Sequence, residues 1–153
     1  MNRMRFSPSV AQRKVQSANR HLVVATLEQC GFQTGGFNTN EHMELFYDIE
    51  TWEKRTVGYI SKGWEDPGFR VGDVIKVPMH RLKAKKELLP MLMNHCATRG
   101  VAMTGEKLNR DAFEFHLDSV IYSEGFNQKV LAQVVECLSE CAEIVRASIV
   151  LAG

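Results

Sequence analysis

Apolar residues return every three or four positions in two long stretches of this chain, and every second position in several short ones. Near the N-terminus, Val15, Ala18, Leu22, Ala25 or Thr26 and then Cys30 form one helical stripe. This predicts a helix from about Pro8 or Ser9 to Cys30, with Gly31 where a helix end favours a left-handed residue. A second stripe, Leu131, Val134, Val135, Leu138, Cys141, Ile144, Val145 and Ile149, predicts a long helix from Asn127 to about Leu151. Its opposite side carries Glu136, Glu140 and Glu143. Strands are predicted over Met43–Ile49, Thr56–Ser61 and Val71–Val77. The first is preceded by a turn-rich stretch around Gly35-Gly36 and Asn38-Thr39-Asn40, and a loop spans Gly63 to Gly68. The links between these strands are too short for helical crossovers, so the three form an antiparallel meander. Phe113, Phe115 and Leu117 alternate with Glu114, His116 and Asp118 in a further strand. Val120–Tyr122 either continue it or, after a turn at Asp118-Ser119, fold back as its hairpin mate.

Between the two sets of strands lies a segment of helical character, Lys86 to Thr98, that stops before Gly100. Pro90 clashes with an interior helical turn, so the helix either starts near Leu88 or Leu89 or is kinked there. Leu88, Leu89, Met91, Leu92 and Met93 cover more than one helix face, which calls for a second burial partner. A subunit interface through Leu88, Leu89, Met91, Leu92, Met93 and Cys96 is therefore expected, giving a homodimer. The element order α-βββ-α-ββ-α specifies an α+β fold. Its single antiparallel sheet has about five strands, with the N- and C-terminal helices and a short middle helix packed on it. Residues 1–9 read as a flexible arm and 10–153 as one domain.

Composition narrows the classes further. At 153 residues, 44% hydrophobic and 24% charged, the chain can bury a core without a disulfide or metal staple. No apolar run approaches the ~18–20 residues of a membrane-spanning helix. The net charge of +1 conceals a polarity, since residues 1–27 sum to +5 and residues 111–153 to −5. Either the termini lie together, or subunits attract, or two helix faces of opposite sign are solvated. Cys30, Cys96, Cys137 and Cys141 sit in apolar surroundings, and no secretory apolar stretch opens the chain, which points to reduced core thiols in the cytoplasm.

Catalytic chemistry finds no foothold in the pattern, and a non-enzyme is expected. Cys137 and Cys141 share a helix side and His95-Cys96 could complete a zinc set, but their apolar neighbours favour core packing, so no metal or other cofactor is expected. The five histidines show no ligand spacing, and Gly35-Gly36 is not followed by Lys-Ser/Thr. Glu114, Asp118 and Glu124 could cluster, although alternation on a strand ordinarily solvates such acids. Binding is better supported. Trp52, Trp64 and Phe69 fall in or beside loops, where large aromatics suit partner contacts. Arg81, Lys83, Lys85 and Lys86 form a basic patch that could contact phosphates, but no aromatic interleaves with them and nucleic acid is disfavoured as a partner.

The run Val74-Ile-Lys-Val77, Leu88-Leu89, Asn94, then Phe113-Glu-Phe-His-Leu-Asp118 and the long final helix resembles the YbjN-type proteins. These are putative bacterial sensory-transduction regulators sharing the fold of type III secretion chaperones. The resemblance spans residues 10–150 and implies a small dimerising fold that holds a protein or peptide, with dimer contacts on or near the middle helix. It brings no catalytic residue. The expected function is thus a chaperone-like or regulatory binding module. The alternatives are a nucleic-acid-binding regulator using residues 80–86, and an enzyme whose site converges only in three dimensions, around Cys96, His95 or His116.

Overall fold

The computed structural model describes residues 10–38, 42–50, 55–63 and 65–151. Helix α1 (Val10–Gln29) leads into strands β1 (Gln33–Asn38), β2 (His42–Glu50), β3 (Arg55–Gly63) and β4 (Gly68–Pro78). Helices α2 (Met79–Lys85) and α3 (Leu89–Thr98) follow, joined by a 3-10 turn over Lys86–Leu88. Strands β5 (Ala102–Lys107) and β6 (Ala112–Tyr122) come next, and α4 (Gln128–Val145) ends in a π-helical turn over Arg146–Val150. The fold is α+β with one antiparallel sheet, in the order β1-β2-β3-β4-β6-β5.

The helix ends follow from their residues. Gly31 (φ 78°) closes α1 by donating to Glu28 O at 2.9 Å, while Phe32 N donates to Leu27 O at 2.9 Å. Gly100 (φ 74°) closes α3 likewise, with Val101 N donating to Cys96 O at 2.9 Å. In both motifs a left-handed residue lets the chain satisfy carbonyls the helix leaves open, and only glycine adopts that φ without a Cβ penalty. Asn127 caps α4, its Oδ1 accepting from Val130 N at 3.0 Å. Pro90 falls in the first turn of α3, where its missing N–H costs nothing. The chain from Pro78 therefore forms two short helices where the sequence suggested a basic approach to a single one.

Two strands, β1 and β5, were not expected, and a third, β6, settles an open alternative. Strand β1 runs through the Gly35-Gly36 stretch read as a turn, with its register shifting between Gly35 and Phe37. Strand β5 carries almost no apolar alternation, because five of its six residues are exposed. Strand β6 continues straight through Asp118-Ser119, so Val120–Tyr122 prolong it rather than fold back.

The helices cover one face of the sheet. Phe69, Val71, Ile75 and Val77 of β4 and Phe115, Leu117 and Ile121 of β6 point to that face and are buried. They meet Val23 and Leu27 of α1, Leu82 of α2, Leu92 and Cys96 of α3, and Leu131, Val135, Leu138, Cys141 and Val145 of α4. Helices α1 and α4, the carriers of opposite charge, are neighbours, with Gln128 Nε2 donating to Gln29 O at 2.8 Å. Among the described residues no helix is long and apolar enough to cross a membrane.

Candidate functional site

The alternation that buries one side of β4 and β6 leaves the other side uncovered among the described residues. Direct cross-strand partners lie on the same face, with Cβ atoms ~4.5–5.5 Å apart. The ladder therefore sets side chains in rows across the open face. Ser61, Arg70 and Val120 make one row, and Tyr59, Gly72, Asp118 and Ala102 the next. Val74, His116 and Thr104 follow, then Lys76, Glu114 and Glu106.

Small residues in these rows leave an open depression of about 410 Å³ lined by Tyr59, Ser61, Arg70, Val74, Thr104, His116 and Asp118. Gly72 makes this geometry possible. A Cβ there would sit 2.5 Å from both Cζ and the hydroxyl of Tyr59, so the phenol end rests over the glycine, in the row that ends on Asp118. The Arg70 guanidinium reaches diagonally to Asp118 Oδ2 at 3.4 Å. His116 Nε2 and Glu114 Oε1 are 2.8 Å apart. In the neutral ring Nε2–H then donates to the carboxylate and Nδ1 is left as an acceptor. Carboxylate, imidazole, guanidinium, phenol and hydroxyl groups are thus collected on one floor, a composition suited to recognising a polar ligand.

Of the residues expected to meet a partner, Phe69 is corrected. It lies on the covered face, fully buried, its ring centroid 4.3 Å from that of Phe126 and under the ammonium of Lys62 at 5.9 Å. The strand begins at Gly68, so Phe69 obeys the β4 alternation instead of belonging to a loop. Trp52 and Trp64 lie outside the described residues. The middle helix divides its apolar residues. Leu92 and Cys96, one turn apart, are buried in the core, which removes them from any subunit contact. Leu88 and Leu89 pack half-buried against the same core. Met91 and Met93 point outward, 60% and 47% exposed. Arg81 and Lys85 are half-buried, and Lys83 and Lys86 are exposed, on α2 and the turn after it. They stand apart from the depression.

Cys96, Cys137 and Cys141 lie close together, while Cys30 meets the Gln128 carbonyl. All four are free thiols. Burial first, and the neighbouring Cys96 after it, push the Cys141 thiol up to about 12. Burial also raises Cys96. Thiols held protonated are poor nucleophiles. Among the described residues no group of three His, Cys, Asp or Glu side chains is placed to hold a metal ion.

Sequence reasoning had put Glu114, His116 and Asp118 on one strand face but gave no reason to join them to Tyr59, Ser61, Arg70 or Thr104. Arg70 and Asp118 are 48 residues apart, and only strand register brings them together. No family model, curated protein or solved structure matches the chain.

Proposed function

We propose that the protein is a non-enzymatic binding module, chaperone-like or regulatory in role, that holds a protein or peptide segment on the open face of its sheet. The observation that carries this reading is the uncovered floor itself: a sheet packed by helices on one side and lined on the other by mutually paired polar groups around a depression. An accessible sheet face with adaptable hydrogen-bonding groups and an aromatic wall suits an extended ligand. The role agrees with what the YbjN-type resemblance implies. We assign the protein to the cytoplasm on its four free thiols, and we assign homodimerisation to the outer side of α3, where Met91 and Met93 offer flexible apolar area.

Site-specific photo-crosslinking in the native host tests these assignments together. A benzophenone side chain is placed singly at Thr104 on the open face, at Met93 on α3, and at Lys83 on α2. Thr104 is expected to trap one recurrent protein partner, and Met93 to give a covalent dimer of twice the chain mass. Irradiation that leaves Thr104 bare while Lys83 captures a partner refutes the open-face reading. Nucleic acid captured at Lys83 would instead support the basic α2 as the working surface.

A further inference from the structure

We infer that the ligand presents a cationic side chain, an arginine or lysine, to Asp118, and that Arg70 occupies that seat when no ligand is bound. The inference rests on the open-face reading and names the chemistry of its ligand.

Asp118 lies on the floor of the depression with only 10% of its side chain exposed. A carboxylate so withdrawn from water needs donors, and an ionised group without them is expensive to bury. Among the described residues the one donor that reaches it is Arg70, through a single contact to Oδ2 at 3.4 Å. That distance is long for a charge-assisted hydrogen bond, which ordinarily runs ~2.7–2.9 Å, and it is not the two-pronged pairing arginine makes with carboxylates. The Arg70 side chain is itself 56% exposed. It is therefore held loosely and can swing into solvent at little cost.

The rest of the row fits the same chemistry. The phenol end of Tyr59 rests over Gly72, whose direct partner across the ladder is Asp118. An aromatic side chain beside a withdrawn carboxylate is a setting that favours ammonium and guanidinium groups, through ring electrostatics and ion pairing together. Ala102 beyond Asp118 and Thr104 in the adjoining row leave lateral room for a chain to approach. Glu114, its side chain only 17% exposed, adds negative charge two rows along the same face, beyond His116. In that row Glu114 stands between Lys76 and Glu106, so two carboxylates face one cation of the protein's own. An anionic ligand held by Arg70 would have to lie directly beside the withdrawn Asp118 carboxylate, so Asp118 itself, rather than the row of Lys76, Glu114 and Glu106 farther along the face, selects a cation.

The roles of the two charges can be separated. If Arg70 is the displaceable occupant, removing it frees the seat. If it is instead the anchor for a ligand carboxylate, removing it destroys binding. The full-length protein, labelled with nitrogen-15, is titrated with Nα-acetyl-arginine amide, Nα-acetyl-citrulline amide and Nα-acetyl-glutamate amide. The arginine probe should give saturable shifts centred on the amides of Gly72, Thr104 and Asp118. The isosteric but neutral citrulline probe should bind at least about tenfold more weakly, a loss of ~1.4 kcal/mol. Arg70→Ala should tighten the arginine probe severalfold and Asp118→Asn should abolish its shifts, both variants keeping wild-type spectral dispersion. Equal binding of citrulline, preference for glutamate, or weakening by Arg70→Ala overturns the inference. So does silence from all three probes. In each of those cases a partner trapped at Thr104 would leave the open-face reading standing, whereas failure of that crosslink removes the reading itself.

Discussion

The two faces of the sheet use the same strands for opposite ends. On one side β4 and β6 present Phe69, Val71, Ile75, Phe115, Leu117 and Ile121 to four helices, and almost nothing there touches water. On the other, the intervening residues Arg70, Gly72, Val74, Glu114, His116 and Asp118 form a floor of charges and gaps. The covered face holds the fold, because each apolar side chain removed from water contributes ~1.5–3 kcal/mol. The open face contributes little of that kind, since exposed ion pairs are worth ~0–1 kcal/mol. Stability and the proposed recognition are thus separated by a single residue step along each strand, and substitutions can be chosen to report on one and not the other.

The largest effect should come from comparing two aliphatic residues of β6 on opposite faces. Leu117→Ala, at a fully buried position, should cost about 2–5 kcal/mol in urea unfolding, whereas Val120→Ala, 48% exposed, should stay within about 0.5 kcal/mol. Equal losses would mean that the open face is covered in solution.

A smaller contrast lies in two glycines of β4. A Cβ at Gly68 would meet the backbone carbonyl oxygen of Ile121 at 2.6 Å, and backbone cannot yield without moving the ladder. Gly68→Ala should therefore cost about 1–3 kcal/mol. At Gly72 the obstacle is the far end of the Tyr59 side chain, which can turn away. Gly72→Ala should leave the unfolding midpoint nearly unchanged yet shift the Tyr59 ring resonances. A stability loss matching that of Gly68→Ala would show Tyr59 to be locked in place.

The smallest and most specific prediction concerns a carboxylate of β4 that lies on the covered face. Asp73 is buried there, its Oδ2 3.1 Å from Arg146 at the start of the π-helical turn. Burial, the strongest influence, pushes its carboxyl up, and the Arg146 charge and the Val74 N–H pull it back only in part. The folded state then holds this proton more tightly than the unfolded chain does. Stability from Asp73 is full below about pH 4 and is lost as pH rises through the raised folded value, with a slope of at most ~1.4 kcal/mol per pH unit. Against wild type, Asp73→Asn should gain relative stability as pH increases across that window. The reverse trend would mean that the Arg146 pairing outweighs the cost of burial.

Much of the fold was legible because its signals are local. The α4 stripe and the Gly31 helix end each depend on residues within one or two turns, and the structure keeps them, with Ile144 alone of the stripe turned out to solvent. The strands β1 and β5 were not legible. Both lie at the edges of the sheet; β1 carries the Gly35-Gly36 pair, whose lack of side chains hides any alternation, and β5 is nearly all exposed, so it has no buried face to impose one. On α3 the surplus of apolar residues was plain, but not its division. Helix rotation decided that Leu92 enters the core while Met91 and Met93 stay outside.

By itself, the order of residues determined which segments coil, which extend, and where several of them stop, since periodicity, caps and turns act over a few bonds. It could not determine what stands opposite what. The meeting of Arg70 with Asp118, the rest of Tyr59 on Gly72, and the bareness of one sheet face depend on strand register and on where the helices dock. Those are settled only when distant segments bury their apolar sides together. The covered face fixes the pairing, and the open face inherits its geometry from it.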